Sequence, residues 1–153
     1  MRTKLWILLL SFFISGASWA GCSVTPPQAS LGQYDPETSG SGIRGIFNLV
    51  ITCSESTSFT VTAGPSQTTG SISSRQLRGE NPSSLLNYQL CLDSNWGGAC
   101  NIIFGTPPNG NAISGTVSSA GGTVVVTFWA LVYGNQPAMP GWHDDYVVIT
   151  VNP

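Results

Sequence analysis

The titratable side chains that stand together in this chain are His143, Asp144 and Asp145, and His143 is its only histidine. An imidazole beside carboxylates has the parts of a general base with an orienting acid. Such a pair also needs a nucleophile set against it, and nothing in the local spacing supplies one. Serine is so abundant that a nearby one carries no information. A surface turn or strand start is the better reading of these three residues, and no catalytic residue is assigned.

Other spacings that could do chemistry fail for physical reasons. Gly40-Ser-Gly-Ile-Arg-Gly45 is a literal GxGxxG. Phosphate binding by that pattern needs a strand before it and a helix N-terminus after it, and here a strand-like run follows. Asp93 and Asn95 have the first spacing of a calcium loop, but Phe104 stands where the later acidic ligand belongs. The cysteines Cys22, Cys53, Cys91 and Cys100 contain no CxxC pair, so a zinc site is not expected. Neither a metal, a cofactor nor a small-molecule substrate is implied.

The cysteines instead point to a compartment. Arg2 and Lys4 precede an apolar stretch at residues 5–14, and Ser18-Trp-Ala20 has small residues at the spacing for cleavage. Residues 1–20 therefore read as a Sec signal peptide, which exports residues 21–153 as one domain. Ala20-Gly21-Cys22 would also suit lipoprotein processing, but Trp19 stands where such signals carry leucine. In an oxidising compartment an even cysteine count favours two disulfides, with three connectivities open. Lipidating Cys22 would leave an odd thiol.

Removal of Arg2 and Lys4 leaves Arg44, Arg75 and Arg78 against seven acids, a net charge of 3 − 7 = −4 with no lysine. Nucleic acid is excluded as a partner, because phosphate binding needs clustered cations. So few charges in a chain rich in Ser, Thr, Gly and Asn suit an extracellular β-protein.

The elements are short strands. In residues 46–53, Phe47, Leu49, Ile51 and Cys53 share one face, which is expected to be the core face. Phe59, Val61 and Ala63 follow after a turn, so residues 46–63 read as a hairpin. Leu86, Tyr88, Leu90 and Leu92 form another period-two face, with Cys91 on the opposite side. Cys91 and Cys100 flank a short reversal where a local bridge is easy, and Cys22 would then pair with Cys53. Thr123-Val-Val-Val-Thr-Phe-Trp-Ala-Leu-Val-Tyr133 is a strongly apolar run in which Trp129 is expected in the core. Tyr146-Val-Val-Ile-Thr-Val151 is the last run, and with only Asn152 and Pro153 after it no later segment is expected beside it. Strands with turns about every ten residues, and no helical periodicity, indicate an all-β immunoglobulin-like sandwich.

Several pieces, in order, resemble the spore coat protein U domain family, the pilin-type domain of archaic chaperone–usher pili. They are Cys22, Leu31-Gly-Gln-Tyr-Asp-Pro36, the run from Gly45 to Cys53, Tyr88-Gln-Leu-Cys-Leu-Asp93 with Trp96-Gly97, and Val132-Tyr-Gly-Asn-Gln-Pro137. The closing Pro140-Gly-Trp-His-Asp-Asp-Tyr-Val-Val-Ile-Thr-Val151 completes the set. Trp142 and His143 depart from the family pattern around the Pro-Gly motif, and Asn135 stands where the family often has arginine.

The resemblance implies an incomplete immunoglobulin-like β-sandwich lacking its last strand and completed by donor-strand addition. The implied partners are a periplasmic chaperone, an outer-membrane usher and a neighbouring pilin subunit that donates a strand. The implied destination is the cell surface, in a pilus serving adhesion and biofilm formation. Val147, Ile149 and Val151 are then the acceptor wall. Polymerising members carry a hydrophobic extension before the first cysteine, whereas cleavage here would leave only Gly21. A strand receiver without a donor segment is expected at the fibre tip, or as part of a two-domain tip subunit. Trp96 and Trp142 in Gly-rich turns, with Met139, are the candidates for contact with a surface. The alternative is a self-contained secreted module that binds carbohydrate or another surface through the same residues.

Overall fold

The structure is a computed structural model and describes residues 21–25, 30–37, 39–93 and 99–153. The expected signal peptide and Trp96 therefore lie outside the described residues. The described residues form strands β1 (Cys22–Thr25), β2 (Ile43–Cys53), β3 (Thr57–Ala63), β4 (Arg75–Gly79) and β5 (Leu85–Cys91). They continue with β6 (Ile113–Val117), β7 (Thr123–Val132), β8 (His143–Asp144) and β9 (Ile149–Asn152). No helix occurs among them.

The strands build two antiparallel sheets, one in the order β1-β2-β7-β5-β4-β8 and one in the order β6-β3-β9. The central pair is β2 with β7, in register from Ile43↔Val132 to Thr52↔Thr123. Both strands are long and rich in β-branched and aromatic residues, which suit a pleated, half-buried surface. Their inward side chains meet as Phe47↔Phe128 and Leu49↔Val126. Against these pack Phe59, Val61 and Ala63 of β3 and Leu86, Tyr88 and Leu90 of β5. Phe47, Phe128 and Phe104 form a stack of tilted rings with centroids 5.6 and 5.0 Å apart. Each fully buried Val, Leu, Ile or Phe contributes about 1.5–3 kcal/mol, so this layer holds the sheets together.

Three expectations change. Residues 46–63 are not a hairpin: β2 and β3 belong to different sheets, and the Ser54-Glu55-Ser56 corner carries the chain across. Alternation shows that a strand has one apolar face but not which neighbour it pairs with. Trp129 is not in the core. It is half-buried on the outer face, opposite Ile46 and Cys91. The final strand is also shorter than the apolar run suggests, beginning at Ile149. Before it, the carbonyls of Tyr146 and Val148 accept from the N–H groups of Gln67 and Gly64 at 3.0 and 2.8 Å.

Candidate functional site

The last strand leaves a partly covered edge. β9 pairs with β3 through Ala63↔Ile149 and Val61↔Val151. Ala63 and Val61 are fully buried, whereas Ile149 and Val151 on the same face are only half-buried, as is Val147. Among the described residues β9 has a strand on one side only. The other sheet ends in β1, where Val24 faces inward opposite Ile51. Ile51 is 0% exposed and Val24 is 40% exposed. At one end of each sheet, β9 and β1 thus show apolar side chains where the inner neighbour hides its own. The site is an edge rather than a deep cleft: a groove of about 440 Å³ lies elsewhere, between β6 and β7, lined by Phe59, Leu92, Ile113, Val124 and Val126 among others.

Covalent and polar ties hold the strands beside this edge. Cys22 and Cys53 are bridged, as are Cys91 and Cys100, with Cα separations of 4.1 and 5.5 Å. The first bridge clamps β1 to β2 and occupies the sulfur that lipid attachment would need.

The Leu31-Gly-Gln-Tyr-Asp-Pro36 and Val132-Tyr-Gly-Asn-Gln-Pro137 motifs lock together. The Tyr34 hydroxyl accepts from the Gln136 N–H at 2.8 Å and donates to the Gln136 carbonyl at 3.2 Å. The Gln136 side chain accepts from the Asn87 N–H at 2.7 Å and donates to the Asn87 carbonyl at 2.9 Å, acting as one more β-bridge beyond β7. Gly42, with φ +81°, lies so close to the Val132 carbonyl that no Cβ fits. Leu31 reaches the inner face of β2 over Gly45, against Phe47. No local signal marks these partners, because 102 and 49 residues separate them.

The His143-Asp144-Asp145 cluster is divided among separate tasks. His143 Nε2 lies 2.8 Å from Ser84 Oγ, a nucleophile-type neighbour that local spacing did not reveal. Ser84 is buried, and its oxygen accepts the Met139 N–H at 3.0 Å; with Nδ1 facing a carbonyl that can only accept, Nε2 of the neutral ring accepts the serine proton. Nδ1 then donates to the Gly141 carbonyl at 3.2 Å, where a catalytic arrangement would place a carboxylate. Asp145 points elsewhere, accepting from Thr68 and, at 2.6 Å, from the Tyr88 hydroxyl. Asp144 is exposed, opposite Arg78. This geometry staples β8 and the chain before it to the β4–β5 turn.

Beneath Asp145 lies a buried polar cluster with no apolar alternation to announce it. Arg75, 1% exposed, donates to the carbonyls of Ile72 and Gly64 and to Gln89 Oε1. Burial pulls the Arg75 guanidinium below its ordinary value, opposed by Tyr88 and Asp145. Burial also pushes the Tyr88 phenol upward, reinforced by its hydrogen bond to Asp145. Slight burial works to raise Asp93, but donors at Ile102 and Asn101 outweigh it and hold the carboxyl low. Cys91, Cys100 and Asp93 have ligand atoms near one another, but both sulfurs are in the disulfide.

Of the candidate contact residues, Trp142 is 82% exposed and Met139 is 51% exposed.

The two sheets and the open end strand define the immunoglobulin-like fold of pilin domains. The profile of the Spore Coat Protein U domain matches residues 8–150, and the chain belongs to that family. No curated protein sequence matches it significantly. Its fold is similar to one chain of the CsuC–CsuE chaperone–tip adhesion subunit pre-assembly complex from the archaic chaperone–usher Csu pili of Acinetobacter baumannii. That similarity has a TM-score of 0.59 at 15% identity and covers 87% of this chain and 39% of that one. This chain therefore spans about two fifths of the length of the chain it matches. A looser match, with a TM-score of 0.45 and 17% identity, is to a chain of a chaperone–tip adhesin complex of CFA/I fimbriae, over 86% of this chain and 42% of that one.

Proposed function

We propose that this domain is a subunit of a surface pilus assembled by the chaperone–usher pathway, and that it receives a strand from another protein along β9. The observation that carries the reading is unequal burial within single register pairs. Val61 and Ala63 are fully buried while Val151 and Ile149 are half-open, and Ile51 is buried while Val24 is not. A strand laid on β9 would cover the inward side chains and satisfy the free backbone groups of that edge. Family membership and the resemblance to a chain from a chaperone–tip adhesion subunit complex support the reading. On this reading a periplasmic chaperone lends the first strand, an usher exports the subunit, and a neighbouring subunit supplies the permanent strand. The fibre tip is the favoured position, in keeping with that complex. Export by residues 1–20 and a location at the cell surface belong to the same proposal.

The test is addition of a synthetic peptide with alternating apolar residues, copying the donor segment of a pilin from the same gene cluster. A saturating peptide at about one hundred times its Kd stabilises the domain by about 2.7 kcal/mol. For a domain of this size that raises the melting temperature by roughly 10 °C. A peptide with the alternation scrambled is expected to have no effect. An isolated, monodisperse domain whose melting is unchanged by the donor peptide would refute strand acceptance.

A further inference from the structure

The short ribbon made by β4 and β8 continues one residue beyond its named strands. Arg78 is opposite Asp144 and Gly79 opposite His143. The Glu80 N–H then donates to the Trp142 carbonyl at 2.9 Å, which sets Glu80 across from Trp142. Side chains alternate along a strand. His143 turns to Gly79 and Ser84 on one face, which leaves Arg78, Asp144, Glu80 and Trp142 on the other. The Glu80 carboxylate lies beside Gly141, where a Cβ would meet Oε2 at 3.0 Å. Among the described residues that carboxylate accepts no hydrogen bond. Arg78 and Asp144 offset each other in charge, so Glu80 leaves this face with a net charge of −1 beside an exposed indole.

The tryptophan stands on a fixed support. Its carbonyl is held by Glu80, the next residue is held by Ser84, and the Met139 N–H is held by the same serine. Asn81 Nδ2 lies 3.1 Å from the Met139 sulfur. A backbone already held in place lowers the ordering cost of using its exposed aromatic as an anchor. Cross-strand neighbours on one face stand about 4.5–5.5 Å apart at Cβ, so this indole and this carboxylate can reach one cation together, through the ring quadrupole and through charge.

We propose that Trp142 and Glu80 form a docking site for a lysine or arginine side chain of a basic partner polypeptide. The site is separate from the β9 edge, and its failure would leave the strand-acceptance reading intact.

The test measures binding of the full domain to immobilised polyarginine, with polyglutamate and an uncharged phenyl matrix as comparisons. Polyarginine is expected to retain the protein and to release it as salt screens the contact. An acidic chain gives some retention by net charge alone, so the decisive readout is the ratio between variants. Trp142→Ala is expected to weaken binding about tenfold. Glu80→Gln is expected to weaken it about threefold and to flatten the salt dependence. Trp142→Phe should fall between wild type and alanine, because its ring has a weaker quadrupole. Both side chains are exposed, and unchanged melting of the variants would confirm intact folding. Undiminished polyarginine binding by Trp142→Ala, absence of binding, or a preference for the phenyl matrix or polyglutamate would each overturn the proposal.

Discussion

Tyr34→Phe removes one oxygen and leaves the ring in place, which isolates the lock between the two halves of the chain. That oxygen makes two hydrogen bonds to the backbone of Gln136, at 2.8 and 3.2 Å. Each intramolecular hydrogen bond contributes about 0.5–1.5 kcal/mol net, and an unsatisfied buried partner adds to the loss. Both residues are only half-buried, so water recovers part of the deficit. The expected cost is therefore about 2 kcal/mol. Unfolding entropy of about 2.1 cal/mol/K per residue, for a domain of about 130 residues, converts 1 kcal/mol into about 4 °C. Thermal unfolding under non-reducing conditions, followed by circular dichroism, is thus expected to show a fall of about 7–8 °C. A fall of less than about 1 °C would refute the view that Tyr34 holds the β1–β2 connection to the loop after β7.

The two disulfides should differ in strength because they close loops of different length. Chain-entropy reasoning gives about 3.7 kcal/mol for Cys22–Cys53, separated by 31 residues, and about 2.7 kcal/mol for Cys91–Cys100, separated by 9. Paired Cys→Ser variants compared by denaturant midpoints test the order, and a larger loss at Cys91–Cys100 would contradict it. Alkaline stability should depend on Tyr88. Its folded pKa is raised, so the neutral phenol favours the fold below the unfolded value near 10, and that stability is lost progressively as pH rises above it. Tyr88→Phe should remove this component of the alkaline decline in denaturant stability. An alkaline limb equally steep in the variant would assign the decline to other groups.

Much of the fold was legible because burial imposes a period on a strand. Phe47, Leu49, Ile51 and Cys53 read as inward, and all four are buried. Leu86, Tyr88 and Leu90 behave likewise. β4 was silent because its inward residue at the polar end is Arg75, whose burial depends on carbonyls at Gly64 and Ile72 and an amide at Gln89. Trp129 misled because β7 is apolar on both faces, and composition cannot tell an inner position from a partly covered outer one. At the candidate site, Val147, Ile149 and Val151 could be named from alternation. Their incomplete burial could not, because it depends on the strands at the ends of both sheets.

By itself, the amino-acid sequence determined the class: short alternating strands, cysteines suited to an oxidising compartment, too few cations for nucleic acid, and an ordered set of family motifs. These properties are local or compositional, so they survive without knowledge of any contact. Tertiary structure alone decided which strands pair and how distant motifs meet. Tyr34 finds Gln136 across 102 residues, Ser84 finds His143 across 59, and β2 and β3 separate into different sheets. Pairing is set by which faces can be buried together once the whole chain has collapsed, and that is a property of the assembled core.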